Sequence, residues 1–157
     1  MALSKDDIKA AYPLPVCNYR VEIGGDTIAF SEVSGLEMTY ETTTYKESPT
    51  ASGAPGPRVM HMPAQATATT ITLHKGIVRG KGVPVLFAWI NSTQINLVEK
   101  KDIFVRLCDE TGAAMISWKV INAFSTKLSA PTFTANSNDA AIETMVLMAD
   151  GISIEET

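Results

Sequence analysis

The sequence predicts a mainly β protein, an antiparallel β-sandwich or barrel of about seven strands with one packed α-helix. Three observations support this fold class. Apolar and polar residues alternate through several short segments, turn-forming residues such as those at 24–26 separate them, and only residues 83–93 space their apolar side chains as a helix does. The length suits one domain over residues 1–157.

The N-terminal arm, residues 1–15, is expected to contain a short helix. Ser4 and Asp7 have the spacing of a capping box, which predicts a helix over residues 5–10. Pro13 then favours extended chain because proline cannot donate a backbone hydrogen bond.

Alternation with a period of two predicts most of the remaining chain as strands. Residues 17–23 form the first strand, and a hairpin turn leads to a returning strand over residues 27–33. Further strands are predicted over residues 67–74, 102–108, 114–129 and 140–149, the last of them ending before Gly151 and a short acidic tail.

The predicted helix over residues 83–93 begins with Pro84, a residue favoured in the first helical turn. Its apolar face is formed by Leu86, Trp89, Ile90 and Thr93. Trp89 and, on the long strand, Trp118 are expected to face the core.

The segment from residue 39 to residue 62 is predicted to be an extended β-hairpin arm. A Thr-rich strand over residues 36–46 enters a polar loop over residues 47–57, and a second β-like segment begins at Arg58. Since the arm carries few large apolar side chains of its own, it is expected to need a partner surface. The candidate interface residues are Thr42, Thr43, Thr44, Tyr45, Lys46, Pro49, Gly53, Pro55 and Arg58.

Composition excludes several functional classes. The net charge of −4 and the isoelectric point near 5.1 give no basic patch for specific nucleic-acid binding. No stretch approaches the roughly 18 apolar residues of a membrane segment, and the N-terminus does not resemble a signal peptide. Synthesis in the cytoplasm is therefore expected. Cys17 and Cys108 lie in predicted strands and are expected to be buried free thiols.

No catalytic or metal-binding constellation is found in the sequence. His61 and His74 stand alone, without His or Cys at the spacing of metal ligands. The glycines of residues 76–82 lack the spacing of a phosphate-binding loop. We therefore expect no catalytic residue, no metal and no cofactor, and a protein that is not an enzyme.

An ordered set of short segments resembles the phage tail tube family over roughly residues 16–152. The segments are Asn18-Tyr19-Arg20-Val21-Glu22-Ile23, Phe30-Ser31-Glu32-Val33-Ser34-Gly35-Leu36, Tyr45-Lys46-Glu47, Ile71-Thr72-Leu73 with Lys75-Gly76, Leu86-Phe87-Ala88-Trp89, Trp118-Lys119-Val120-Ile121-Asn122-Ala123-Phe124 and Ala141-Ile142-Glu143. The sequence is similar to the inner-tube proteins of contractile injection systems. It departs from the family pattern at Ser48 and at Pro63-Ala64, where members often carry Gly and Pro-Gly.

The resemblance implies a tail-tube (Hcp-like) fold and a structural subunit of an inner tube. Six-fold homomeric rings would stack into a tube inside a contractile sheath, on a baseplate and between tube-initiator and tube-terminator proteins. Protein or DNA cargo would occupy the lumen, and the assembly would be a phage tail or an extracellular injection particle. The arm would reach the neighbouring ring, and polar strand residues would face the lumen. The lumen candidates are Thr70, Thr72, Lys119 and Asn122.

Two alternatives remain open from the sequence. A tube initiator or baseplate adaptor would share the fold but dock its arm on a different ring. A small ligand-binding β-barrel carrier would instead line a cavity with Trp89 and Trp118.

Overall fold

The computed structural model describes residues 2–50, 52–53, 55–80 and 83–156, with the backbone alone at residues 83 and 84. Ten strands and few helical residues make the described chain mainly β. The strands are β1 (Tyr19–Ile23), β2 (Asp26–Ile28), β3 (Glu32–Ser34), β4 (Tyr40–Glu47), β5 (Arg58–Ala66), β6 (Thr69–Gly76), β7 (Lys101–Cys108), β8 (Ala114–Ser129), β9 (Ile142–Ala149) and β10 (Gly151–Glu156). The helices are α1 (Lys5–Ala11), a π-helical segment (Val83–Phe87) and α2 (Ala88–Asn91).

Eight strands form one antiparallel sheet that folds over itself, and β4 and β5 form a separate two-stranded sheet. We call the half with order β2-β1-β7-β8-β10 sheet A, in which β8 contributes its N-terminal part. Sheet B has the order β3-β6-β9-β8, with the C-terminal part of β8. The long strand β8 therefore belongs to both sheets.

The passage of β8 from sheet A to sheet B occurs at Asn122, whose φ of 53° is positive. Its backbone N–H donates to Asp102 Oδ1 at 3.1 Å, and its side-chain amide donates to Asp150 Oδ2 at 3.0 Å. Before this residue Val120 is buried, whereas after it the odd-numbered Ala123 and Ser125 are buried. The irregular residue thus shifts the alternation by one position, which keeps apolar side chains inside both sheets.

The core lies between the two sheets. Its fully buried side chains include Val21, Ile23, Ile103 and Val120 from sheet A, and Ile71, Leu73, Met145 and Leu147 from sheet B. Leu86 and Trp89 pack into the same core from the helical segment. The Trp89 indole N–H donates to the Glu99 carbonyl oxygen at 2.8 Å, so its burial leaves no unpaired donor.

The antiparallel, mainly β fold with a short helix is as the sequence predicts, but three elements differ. The predicted returning strand, residues 27–33, is divided: β2 pairs with β1 in sheet A, while β3 pairs with β6 in sheet B. The predicted acidic tail is strand β10, which pairs with β8. Each of these two differences adds a strand, and the described chain has ten strands where about seven were predicted.

The third difference is the helix predicted over residues 83–93. Its first part is π-helical and its α-helical part ends at Asn91. The hydroxyl of Ser92 donates to the Trp89 carbonyl oxygen at 2.7 Å, a local bond that competes with continued helix. Cys17 also differs from expectation, since it is exposed, whereas Cys108 is buried and both thiols are free.

Gly35 closes the bend between β3 and the chain that leads to β4, with a φ of +87°. A Cβ there would collide with the Thr70 carbonyl oxygen and lie 3.3 Å from Ile71 Cα. Gly112 has a similar φ of +84°, but open space surrounds the position of its missing Cβ.

We expect Gly35→Ala to lower the free energy of unfolding more than Gly112→Ala. Both substitutions place alanine in the left-handed region, at about 1–2 kcal/mol, but only the first adds a backbone collision, for a total of roughly 3 kcal/mol or more. Denaturant unfolding of the unassembled protein measures the difference. Equal losses for the two variants would show that the approach to Thr70 does not constrain this bend.

Candidate assembly surfaces

The β4–β5 hairpin, which covers the segment predicted as the arm, stands apart from the body. It forms its own two-stranded sheet, and among its strand residues only Glu47 and Met60 are even partly buried. This hairpin can therefore still gain free energy by burying its side chains against a partner.

The two faces of the arm differ in chemistry. The register places Thr43 opposite Met62, and Tyr45 opposite Met60, so that these side chains share one face. Tyr45 is 49% exposed and Met62 is 43% exposed, which leaves an apolar surface in contact with solvent. The opposite face is more polar: Thr44 Oγ1 lies 3.1 Å from His61 Nδ1, and Lys46 lies opposite Val59.

The tip of the arm is held by contacts across the loop. Arg58 and Glu47 form an ion pair of 3.7 Å at the last strand pair. Gly56 lies so close to the Pro49 ring that any Cβ at this position would collide with it. Gly53 has a φ of +81° with open space around it, and Pro55 is exposed. The nine predicted arm residues thus lie along one continuous projection.

The structure does not bring the four lumen candidates together. Thr70 and Thr72 are neighbours on the outer face of sheet B, where they alternate with the buried Ile71 and Leu73. Asn122 lies at the passage between the sheets, where its backbone and side chain are hydrogen-bonded to Asp102 and Asp150.

Lys119, the remaining lumen candidate, lies on the outer face of sheet A, opposite Phe104. This face carries a charged network. Arg106 donates two hydrogen bonds of 3.2 Å to the Glu22 carboxylate and one of 3.2 Å to the Ser117 hydroxyl. Arg106 and Lys119 both lie over the Phe104 ring, at 4.7 Å and 5.8 Å from its centroid.

Besides the three-residue edge strands β2 and β3, two longer strand edges of the body are open in the described chain. Strand β10 pairs with β8 alone, and residues 124–129 of β8 pair with β9 alone. Such edges present unpaired backbone N–H and C=O groups to any strand that approaches them. Residues 151–156 carry little sequence signal for this edge, because their alternation is short and ends in two acidic residues.

An open cleft of about 490 Å³ lies between sheet A and the edge strand β3. Trp118, Leu107 and Val33 line it, whereas Trp89 does not. The two tryptophans that a ligand carrier would use therefore do not share a cavity. No group of three His, Cys, Asp or Glu side chains in the described residues is arranged to hold a metal ion. None of the described helices is long and apolar enough to span a membrane.

The N-terminal helix α1 is a further exposed element. A capping box begins it: the Asp7 N–H donates to Ser4 Oγ at 3.1 Å, and the Ser4 N–H donates to the Asp7 carboxylate at 3.2 Å. Every residue of the helix is exposed. An ion pair of 2.7 Å between Lys9 Nζ and Glu110 Oε1 connects it to the turn between β7 and β8.

Comparison with known proteins gives consistent matches. A family model described as T4-like virus tail tube protein gp19 matches residues 15–153. No curated protein sequence matches significantly. Among solved structures, the chain is 39% identical to a chain of the PVC sheath–tube complex, an extracellular contractile injection system in its extended state, with a TM-score of 0.88. That match covers 99% of this chain and 100% of the other.

Two further structures extend the comparison. A chain in the cap of the anti-feeding prophage (the AFP tube-terminating cap) is 38% identical, with a TM-score of 0.84 and full coverage of both chains. Hcp1 from Flavobacterium johnsoniae is 22% identical, with a TM-score of 0.51 over 88% of this chain and 95% of that one. The match to Hcp1 shows a shared fold alone.

Acidification is expected to release helix α1 from the body. The ion pair with Lys9 lowers the pKa of Glu110 and raises that of Lys9. A lowered carboxyl pKa means that the contact stabilises the docked helix above the ordinary Glu value of 4.5 and is lost as the pH falls through the lowered pKa. The protection factors of the α1 amides, obtained from hydrogen exchange at pH 7 and at pH 3, measure this release.

Glu110→Gln is the control for that measurement, because it removes the charge without changing the shape of the side chain. The variant should have α1 amides that are already less protected at pH 7 and change less on acidification. The Ser4–Asp7 cap also weakens in acid, since these hydrogen bonds lower the pKa of Asp7. Unchanged α1 protection in Glu110→Gln at pH 7 would contradict a role of the ion pair in docking.

Proposed function

The chain belongs to the T4-like virus tail tube protein family, and we propose that it is the inner-tube subunit of a contractile injection system. The family and the two relatives of high identity make it a tube-type structural protein of such a particle. In the proposed assembly, rings of six copies stack around a cargo lumen inside a contractile sheath. Sheath contraction would drive the tube through a target envelope, a mechanical role that requires no catalytic residue.

The observation that carries this proposal is the unpartnered arm. A two-stranded hairpin with Tyr45 and Met62 exposed on one face gains little by projecting into solvent, whereas a second copy could cover that face. An arm of one copy that docks on another copy is a heterologous contact, and repetition of such a contact along an axis produces an open-ended polymer.

The open strand edges support the ring. Pairing of edge strands between neighbours in a ring satisfies the unpaired backbone groups of both subunits and removes edges that would otherwise aggregate. Strand β10 and residues 124–129 of β8 are the long open edges available for this purpose. The sheath, baseplate, initiator and terminator proteins are the further partners implied by the system.

We also propose that the outer face of sheet B lines the lumen. The candidates Thr70 and Thr72 lie on it, and its neutral side chains outnumber the charged Glu32 and Lys127, which suits a conduit that must release its cargo. The outer face of sheet A instead carries the Glu22–Arg106 network and Lys119, groups that would bind charged cargo. Lys119 would then face away from the lumen.

A tube-terminating role is the second candidate, because one of the two close relatives comes from a terminating cap. A tube terminator, a tube initiator and a baseplate adaptor would each be present as a single ring per particle. The number of copies per native particle separates these roles from the main tube. Many copies of this chain along the tube would support the main-tube role. A single ring of copies per particle would instead support a terminator, initiator or adaptor role.

The concentrated, purified protein should form rings or hollow tubes that are visible by negative-stain electron microscopy. Deletion of residues 49–56 should abolish stacking of the rings. The deletion removes the loop at the tip of the arm and leaves the core intact, so rings or monomers should remain. Circular dichroism checks that the deletion variant is folded. Normal tubes from this variant would exclude the arm as the axial contact.

Particles from the native locus provide the reference for that experiment. Monomers of the purified protein, together with native particles whose tube contains this chain, would mean that stacking needs a template. Native particles without this chain in their tube would contradict the proposed function.

Cysteine labelling tests the lumen assignment in assembled tubes. Thr72→Cys and Lys119→Cys, each in a Cys17→Ser background, are treated with a maleimide attached to a bulky polymer. Thr72→Cys should resist the polymer and react with a small maleimide, because only small reagents diffuse along the lumen. Lys119→Cys should react with both. The opposite pattern would place the outer face of sheet A in the lumen.

A further inference from the structure

The loop between β8 and β9 forms an open recess of about 630 Å³. Its lining combines apolar and polar side chains. Phe133 is 83% exposed and Ile142 is 39% exposed, so both present apolar surface to solvent. Asp139 is the only charged residue among those that line the recess. Its carboxylate accepts a hydrogen bond of 3.0 Å from the Ser137 hydroxyl and has no ion pair within the described residues.

The recess and the arm lie at opposite ends of sheet B. The arm connects to β3 after Ser34 and to β6 before Thr69. The loop with the recess lies between Ser129 and Ile142, and the register aligns Ile142 with Gly76 at the far end of β6. One copy therefore carries a projecting element at one end of these strands and a concave surface at the other, as head-to-tail stacking requires.

The chemistry of the two surfaces is complementary. The arm offers the apolar face of Tyr45, Met60 and Met62, and the recess offers Phe133 and Ile142. Across the arm, residues 39–62, the two positive charges of Lys46 and Arg58 balance the two negative charges of Glu41 and Glu47. Arg58 pairs with Glu47 within the arm, which leaves Lys46 without an ion pair in the described chain. The recess supplies the opposite charge through Asp139.

We propose that the recess receives the tip of the arm of a second copy of this chain in the adjacent ring. In this contact the Tyr45–Met60 face of the arm lies against Phe133, and Lys46, which projects from the opposite face at the next position, lies near Asp139 on another side of the recess. This inference rests on the proposed tube function and specifies its axial contact. The cleft of about 490 Å³ beside Trp118 is a less suitable receptor. Leu36, which begins the connection to the arm, lines that cleft, so the cleft lies near the base of the arm of its own copy.

Charge reversal tests the pairing. Asp139→Lys and Lys46→Asp should each raise the concentration at which tubes form by roughly tenfold or more, because each places like charges together in the contact. The double variant should restore assembly toward the wild-type concentration. Asp26→Lys is the matched control: it reverses an exposed carboxylate at the β1–β2 turn and should leave the concentration unchanged.

A disulfide experiment tests the same contact without relying on charge. Met60→Cys and Phe133→Cys are prepared as separate proteins, each in a Cys17→Ser background, and are mixed under mild oxidation. The mixture should give a disulfide-linked dimer of the two different variants at a yield above that of either variant alone. A Met60→Cys protein that retains Cys17 should not form a disulfide through Cys17, which lines the alternative cleft.

The outcomes separate this inference from the proposed function. If the wild type forms tubes but Asp139→Lys assembles equally well, or the double variant is no better than either single variant, the recess is not the receptor and the tube function stands. A disulfide between Cys17 and the thiol introduced by the Met60→Cys substitution would assign the arm to the cleft instead. If native tubes lack this chain, both the proposed tube function and the proposed axial contact are wrong.

Discussion

The shared strand β8 is the constraint on which the rest of the structure depends. It pairs with β7 and β10 in sheet A and with β9 in sheet B, so the two faces of the core are joined through one continuous strand and its hydrogen bonds. The positive φ of Asn122 allows this passage, and Asp102 and Asp150 hold its polar groups. Since the alternation shifts at that residue, both sheets direct apolar side chains into a single core.

The body and the arm are stabilised in different ways. The body buries its large apolar side chains between two sheets, whereas the arm has backbone pairing but little buried surface. A hairpin of this kind is marginally stable in water and gains order when a partner covers it. The same separation would suit the proposed assembly, because changes in the arm would then alter contacts between copies while the core remains unaffected.

The distribution of exposed apolar residues is consistent with a polymer whose subunits are all alike. The arm lies at one end of sheet B and the recess with Phe133 at the other, while open strand edges lie along the sheets. Stacking of copies would cover the surfaces at opposite ends, and lateral pairing would provide hydrogen-bond partners for the strand edges. A monomer would leave all of them in water, which accounts for apolar surface that a self-contained protein rarely keeps.

The sequence by itself determined the mainly β fold, most strands and the helix cap at Ser4, because alternation, turn residues and capping are local patterns. Its ordered set of short segments indicated the family by resemblance. It also indicated the arm, through a run of threonines followed by a polar loop. Tertiary structure decided which strands share a sheet, that residues 151–156 are a strand, and that Thr72 and Lys119 lie on different faces. Strand pairing and the crossing at Asn122 join residues that are distant in the chain, so no local pattern could specify them. The recess around Asp139 lies within residues 131–142, but its place at the end of sheet B opposite the arm depends on the same strand pairing.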